Sequence, residues 1–219
     1  MNNIQSLYEL FKKHPEISTD TRELKPGSIF FALKGGNFNG NAFAKTALQQ
    51  GCALAVVDEK EVAVNENYFL VDDVLSALQQ LAQHHRKQLN IPILAITGTN
   101  GKTTSKELIH AVLSQKYKVL ATKGNLNNHI GVPLTLLQIT KEHDLAIIEM
   151  GANHQKEIEG YCKIALPDYA LITNCGKAHI EGFGGVEGVR KGKGELYDFI
   201  RNTNGTIFRN ADLNYLESM

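Results

Sequence analysis

The 219 residues allow one large or two small domains, and 42% apolar residues are enough for packed cores, which excludes a disordered chain. Lysine plus arginine and aspartate plus glutamate each number 23, so no charge excess points to nucleic acid or an anionic membrane as a partner. Cys52, Cys162 and Cys175 have neither disulfide nor zinc spacing, and no segment reaches the roughly 18 apolar residues of a membrane span, so we expect a soluble, cytoplasmic monomer with inert buried thiols.

The first 90 residues predict a small mixed α/β domain. Apolar residues at helical spacing predict an amphipathic helix from Ile4 to Phe11, ended before Pro15. Further strands are predicted at 28–33, 53–57 and 68–71, and further helices at 42–50 and 74–89. The glycine-rich segment 34–40 is predicted to be a flexible loop, and His84 and His85 to be solvated helix surface.

A polar cluster precedes the predicted strand at 28–33. It consists of Ser18, Thr19, Asp20, Thr21 and Arg22. Hydroxyl groups beside a guanidinium can hold a phosphate or the edge of a uracil base. The alternative is an ordinary loop stabilised by local side-chain bonds.

From residue 91 onward, strands alternate with helix-length segments, which predicts a doubly wound, mostly parallel sheet. Strands are predicted at 93–96, 118–121, 145–149, 170–174 and 206–208, and helices at 102–113, 132–138, 155–164 and 186–200. The domain boundary is placed at 90–92. A sheet that ends near residue 208 would leave an edge uncovered, so we expect this chain to be the N-terminal part of a longer protein.

The strand at 93–96 leads into a phosphate-binding loop. The loop comprises Gly98, Thr99, Asn100, Gly101, Lys102, Thr103 and Thr104. Its N–H groups and the start of the following helix would face a polyphosphate, with Lys102 over the outer phosphates and the Thr103 hydroxyl suited to Mg²⁺. The general motif has a glycine where this chain has Ile96, so the loop is a shortened form. A kinase or GTPase is an alternative that does not explain the first domain.

Polar residues that follow the strands are further candidates, because ligands bind beyond the carboxyl ends of parallel strands. Glu149 is either a Mg²⁺ ligand or a helix cap. His179 is either a ligand or structural, and spacing alone favours a solvated basic helix face at 190–195. The amides of Asn127 and Asn128 either bind substrate or cap the next helix.

Together these segments resemble the ATP-dependent Mur ligases of bacterial cell-wall synthesis. The resemblance rests on 98–104, 124–135 (GNLNNHIGVPLT), 149–154 (EMGANH), 178–184 (AHIEGFG) and 193–195 (KGE). Upstream, 18–22 (STDTR) and 30–35 (FFALKG) resemble the UDP-binding domain of that family. The resemblance implies a UDP-sugar-binding domain over 1–90 and a truncated ATP-binding central domain over 91–219, without the C-terminal domain.

Several of these segments are similar to one member, which joins D-alanyl-D-alanine to UDP-N-acetylmuramoyl-tripeptide through an acyl phosphate. We expect this chain alone to have little or no ligase activity. The alternatives are another ligase of the superfamily, such as a diaminopimelate-adding or lysine-adding enzyme or folylpolyglutamate synthetase, and a non-catalytic nucleotide-sugar-binding module.

The resemblance also implies roles for individual residues. Lys102, Glu149, His179 and Lys193 would be catalytic, with ATP on the 98–104 loop and two Mg²⁺ ions held by Thr103, Glu149, His179 and Lys193. Lys193 would be carbamylated, its anion helping to hold the second ion. The implied substrate-binding residues are Ser18, Thr19, Thr21, Arg22, Lys34, Asn127 and Asn128.

Overall fold

The computed structural model describes residues 3–177 and 180–219, which divide into two compact units. The first unit ends at His85 and the second begins at Arg86, just before the predicted boundary segment. No helix in the described residues is long and apolar enough to cross a bilayer.

A parallel sheet forms the centre of the first unit. The strands of this unit are β1 (Ile17–Ser18), β2 (Ile29–Phe31), β3 (Lys34–Gly35), β4 (Phe38–Asn39), β5 (Leu54–Val57) and β6 (Tyr68–Leu70). Its helices are α1 (Ile4–Lys13), α2 (Ala44–Gln49) and α3 (Val74–Lys87). Within the described residues the sheet order is β1-β2-β5-β6, all parallel. The buried apolar residues of β2 and β5 pack with those of α2, which confirms a small α/β unit.

Two predictions for the first unit are wrong. The predicted loop at 34–40 contains an antiparallel hairpin that pairs β3 with β4 across a turn at 36–37, where glycine and asparagine suit a tight two-residue turn. His85 is not solvated: it is buried, its Nδ1 lies 3.3 Å from the Tyr8 hydroxyl, and its ring packs edge-on against Phe11. The first helix therefore covers a position that helix composition alone places on the surface.

The second unit is a doubly wound parallel sheet, as predicted. Its strands are β7 (Ile93–Thr97), β8 (Val119–Ala121), β9 (Leu145–Glu149), β10 (Tyr169–Ile172) and β11 (Thr206–Phe208). Its helices are α4 (Lys102–Leu113), α5 (Gly131–Leu137), α6 (Glu157–Ala165), α7 (Ile180–Phe183) and α8 (Val186–Asn202). In the described part of the chain the strand order is β11-β10-β7-β9-β8. The sequence did not predict α7, which has one turn.

The register of this sheet places the candidate residues together at the carboxyl ends of the strands. Ile96 of β7 lies between Glu149 of β9 and Leu171 of β10, and Thr97 pairs with Ile172. β7 and β9 are nearly continuous apolar runs, as expected for central strands covered on both faces. Because all these strands are parallel, the segments that follow them emerge together.

A buried arginine holds the chain in place at the other end of this sheet, where β7 and β10 begin. Arg86 is 7% exposed. It donates hydrogen bonds to the carbonyls of Leu89, Ile91, Ala165 and Leu166 and to the carboxylate of Asp168. The same Asp168 oxygen accepts the N–H of Ile93 at 2.8 Å. Arg86 therefore holds the chain entering β7 against the chain entering β10.

Candidate active site

The loop between β7 and α4 has the backbone of a phosphate cradle. Gly98 has φ 150° and Gly101 has φ 78°, both disfavoured for other residues. A Cβ atom on Gly98 would lie 1.9 Å from Thr173 Oγ1, so this position also needs glycine for space. The Thr99 N–H donates to the Asn174 carbonyl, and Asn174 Oδ1 accepts the Asn100 N–H at 3.1 Å. Residues after β10 thus support the loop from one side.

Positive charge is concentrated at this loop. Lys102 Nζ lies over the loop, donating to the carbonyls of Gly98 at 2.9 Å and Thr99 at 3.2 Å. The 12-residue helix α4 begins at Lys102, so its free N–H groups and the positive end of its dipole are at the same place. This arrangement suits a bound polyphosphate.

The Glu149 carboxylate lies beside the start of α4. It is 1% exposed, and its Oε1 accepts hydrogen bonds from Thr103 Oγ1 at 3.2 Å and Asn127 Nδ2 at 2.8 Å. Among the described residues, its buried Oε2 has no hydrogen-bond partner. An unbonded carboxylate oxygen beside a threonine hydroxyl fits Mg²⁺, which prefers hard oxygen ligands. These bonds favour the metal-ligand role over the helix-cap alternative.

The protein supplies only part of a metal shell here. No group of three or more histidine, cysteine, aspartate or glutamate side chains arranged for a metal occurs in the residues that the structure describes. Mg²⁺ typically takes one or two protein oxygens and completes its shell with phosphate and water. The predicted ligand His179 lies outside the described residues.

A cavity of about 380 Å³ opens beside the loop. Its lining includes Lys102, Asn127, Asn153, Glu157, Tyr161 and Lys193. Lys193 is 3% exposed, and burial, followed by the charge of Lys102, lowers its pKa to about 8. Two ammonium groups therefore face one cavity, which favours an anionic ligand. The alternative of a solvated basic face is wrong at Lys193 and holds at Lys191, which is exposed.

The wall formed by the start of α6 is fixed by two carboxylates. Glu157 Oε2 accepts the N–H groups of Asn153 at 2.7 Å and of the following residue at 3.1 Å. Glu195, which is buried in α8, accepts the N–H groups of Lys156 at 2.6 Å and Glu159 at 3.0 Å. Helix α8 therefore both delivers Lys193 and positions the cavity wall formed by the start of α6.

The two asparagines have different roles. Asn128 Oδ1 accepts the N–H groups of Ile130 at 3.1 Å and Gly131 at 2.9 Å, so it holds the turn in which α5 begins. Asn127 instead donates to Glu149, and both asparagines line the cavity. The contacts of Asn128 favour the capping alternative for its Oδ1, and because both asparagines line the cavity, both remain candidates for substrate contact.

Sequence reasoning gave no role to Lys106 and used Glu195 only as part of the 193–195 segment. Lys106 is fully buried, and its Nζ lies 4.0 Å from Glu149 Oε2. Its spacing of four from Lys102 on one helix face was an available signal. Glu195 bonds backbone N–H groups more than 30 residues away, and nothing local indicates that contact.

The residues predicted in the first unit fall into two clusters. Ser18 Oγ donates to the Asp20 carbonyl. The Arg22 guanidinium donates hydrogen bonds to the Asp20 carboxylate, with Nε 2.9 Å from Oδ1. Thr19 and Thr21 are half-buried in the same segment. Lys34 belongs elsewhere, with its Nζ 2.8 Å from Asp58 and 3.2 Å from a glutamate. The ammonium of Lys34 is thus compensated by carboxylates.

Comparison with known proteins places these features in a family context. The family model described as "Mur ligase middle domain" matches residues 96–219, and one described as "Mur ligase family, catalytic domain" matches residues 15–86. The UDP-N-acetylmuramoyl-tripeptide–D-alanyl-D-alanine ligase of Haemophilus influenzae is 42% identical over 206 residues, or 92% of this chain and 45% of that protein. The ligase of the same name from Escherichia coli is 44% identical over 198 residues, or 90% of this chain and 43% of that protein.

Solved structures agree with these matches. MurF from Acinetobacter baumannii superposes with a TM-score of 0.81 at 37% identity, covering 90% of this chain and 46% of that one. MurF ligase from Thermotoga maritima in complex with ADP superposes with a TM-score of 0.82 at 31% identity, covering 98% and 49%. The chain thus spans about half the length of the relatives it matches. The predicted carbamylation of Lys193 is not supported by these comparisons, and we treat Lys193 below as a free amine.

Proposed function

Starting from the fact that this chain belongs to the Mur ligase family, we propose that it is the nucleotide-binding part of a D-alanyl-D-alanine-adding ligase. The ligase would use ATP to join that dipeptide to UDP-N-acetylmuramoyl-tripeptide in cytoplasmic peptidoglycan synthesis. The observation that carries the proposal is the buried Glu149 carboxylate, with one unbonded oxygen, directly beside Thr103 of the phosphate loop. The names of the relatives favour this ligase over other members of the superfamily.

The reaction would proceed in two steps. The terminal carboxylate of the tripeptide attacks the γ-phosphorus of ATP, and the bond to the β-phosphate oxygen breaks, giving an acyl phosphate and ADP. The dipeptide amine then attacks the acyl carbon, loses a proton, and inorganic phosphate leaves as the amide forms. Lys102 and Lys193 would stabilise the charge on the transferring group, because both face the same cavity. Neither step requires a covalent protein nucleophile.

Magnesium would be held by Thr103 and Glu149. When bound, the ion neutralises charge on the phosphates that surround it. Asn127 keeps Glu149 Oε1 oriented, so Oε2 is the oxygen left for the ion. The first unit would bind the UDP-sugar through the segment that contains Ser18 and Arg22.

Calorimetric titration of the chain tests this proposal. We expect ATP to bind only with Mg²⁺, and UDP-N-acetylmuramoyl-tripeptide to bind without metal. Lys102→Ala should weaken Mg²⁺-ATP binding at least about tenfold, since it removes a phosphate contact worth more than about 1.4 kcal/mol. The same variant should leave UDP-sugar binding unchanged, which serves as its internal control. Binding of UDP-sugar with no metal-dependent ATP binding would indicate a non-catalytic module and refute the proposal.

A further inference from the structure

Helix α4 has an inverted burial pattern around one lysine. Lys106 is 0% exposed, whereas Leu108 and Val112 of the same helix are 64% and 70% exposed. Lysine is among the residues least often fully buried, because removing its charge from water is costly. A helix that fully buries a lysine while two of its large apolar residues are exposed indicates that the charge itself is needed at that place.

The partners of Lys106 lead to Glu149. Lys106 Nζ donates to the carbonyl of Thr122 and lies 2.9 Å from Glu107 Oε1. It also lies 4.0 Å from Glu149 Oε2, the oxygen without a hydrogen-bond partner in the described residues. Thr122 Oγ1 accepts the Glu149 N–H at 2.9 Å, so one threonine holds both groups in place.

This distance has an electrostatic consequence. At 4.0 Å the ammonium compensates the buried carboxylate but is too far away to form a hydrogen bond with Oε2. The oxygen therefore keeps its lone pairs for another cation. A divalent ion on Oε2 would be repelled by Lys106, and in a partly desolvated site such repulsion lowers the affinity of the bare ion by at least about tenfold. Phosphate groups that arrive with the ion would offset this repulsion.

We propose that Lys106 is an internal counter-ion of Glu149 that makes metal binding depend on nucleotide. The bare divalent ion binds weakly, and the metal–nucleotide complex binds well because its negative charge balances Lys106. This inference rests on the proposed role of Glu149 as a metal ligand. Lys106 acts through Glu149 and is therefore a positioning and charge-setting residue.

Titration of the whole chain with Mn²⁺ alone, followed by water-proton relaxation, tests the inference. We expect Lys106→Met to bind Mn²⁺ at least about tenfold more tightly than the unmodified chain. Lys106→Arg, which keeps the charge, should stay within about twofold of the unmodified chain. Lys116→Met removes an exposed positive charge just beyond α4 and controls for net charge. Mn²⁺ affinity of Lys106→Met equal to or weaker than that of the unmodified chain overturns the proposal.

The sign of the effect separates charge from structure, because a variant that only damages packing would bind Mn²⁺ more weakly. If Lys106→Met does not fold, Lys106→Gln removes the charge and keeps a donor for the Thr122 carbonyl. If neither variant folds, recovery of folded protein on adding Mn²⁺ supports the proposal and failure to recover overturns it. Mn²⁺-ATP binding by the unmodified chain is measured in parallel. Its absence refutes the proposed function, whereas its presence with no gain in Lys106→Met refutes only the counter-ion role.

Discussion

Replacing Lys193 by methionine tests how strongly the site is destabilised by its buried charge. Lys193 is 3% exposed, and burial, then the charge of Lys102, lowers its pKa from 10.5 to about 8. The unfolded chain keeps the ordinary pKa, so folding at neutral pH places a proton on an amine that holds it poorly. At about 1.36 kcal/mol per pH unit, the cost is on the order of 3 kcal/mol at pH 7.

The free-energy cost of burying the charged Lys193 side chain depends on pH. Below about pH 8, both the folded and the unfolded chain carry the proton, and the full cost applies. Between about pH 8 and 10.5, the folded chain has lost the proton and the unfolded chain still holds it, so stability rises with pH. Methionine has a similar length and no charge. We therefore expect Lys193→Met to raise the free energy of unfolding by about 2–3 kcal/mol at pH 7 and by about 1 kcal/mol at pH 9.5.

Urea unfolding followed by far-ultraviolet circular dichroism measures both differences, and the method suits a chain without tryptophan. Lys191→Met is the matched control, because Lys191 lies on the same helix and is exposed. Its effect should stay within about 0.5 kcal/mol at either pH. A Lys193→Met variant that is no more stable at pH 7, or whose gain does not shrink at pH 9.5, would refute the reasoning.

Three further predictions follow from individual contacts. Gly98→Ala should lower the free energy of unfolding of the second unit by about 3 kcal/mol or more in urea, because the new Cβ would clash with a side chain. Gly101→Ala has open space around its Cβ and should cost only about 1 kcal/mol, from backbone strain. Equal costs for the two variants would show that the predicted clash at Gly98 is absent. Arg86→Met should lower the free energy of unfolding by about 3–5 kcal/mol, because it leaves carbonyls and a carboxylate unpaired. Arg201→Met, at a half-exposed arginine, is the control and should lower it by about 0.5 kcal/mol. A small effect of both substitutions would contradict the structural role of Arg86. Glu195→Gln should speed amide hydrogen exchange in the first turn of α6 without changing exchange in β9, and unchanged exchange in α6 would show that its carboxylate is dispensable.

The sequence predicts the parts of this fold that depend on local pattern. Apolar runs placed β7, which lies between Pro92 and Gly98, and β9 correctly, and the loop motif placed the start of α4 at Lys102. A parallel sheet then requires the segment after β7 and Glu149 at the end of β9 to meet at one edge, which the register bears out. The sequence alone therefore predicts that the phosphate loop and the Glu149 carboxylate lie next to one another.

Local pattern fails where a polar residue is buried by a distant partner. His85 looks like solvated surface until α1 supplies Tyr8, and Lys193 looks like part of a basic face until the helix packs beside the loop. Composition assigns such residues to the surface because burial of a charge is usually too costly. The hairpin in segment 34–40 was missed for a different reason: its strands have two residues each, too short for alternation to be detected.

The burial of Lys106, Glu149 and Lys193 also locates the site independently of any motif. Each of these side chains is at most 3% exposed. Among the residues that the structure describes, Glu149 Oε2 has no hydrogen-bond partner. Lys193 Nζ lies 5.5 Å from the centre of the Phe183 ring. Such groups lower stability, and a chain selected only for folding would replace them with apolar residues. Their concentration at the carboxyl edge of one sheet is therefore best explained by a charged ligand that completes their interactions, since binding it would recover the energy that folding alone leaves unmet.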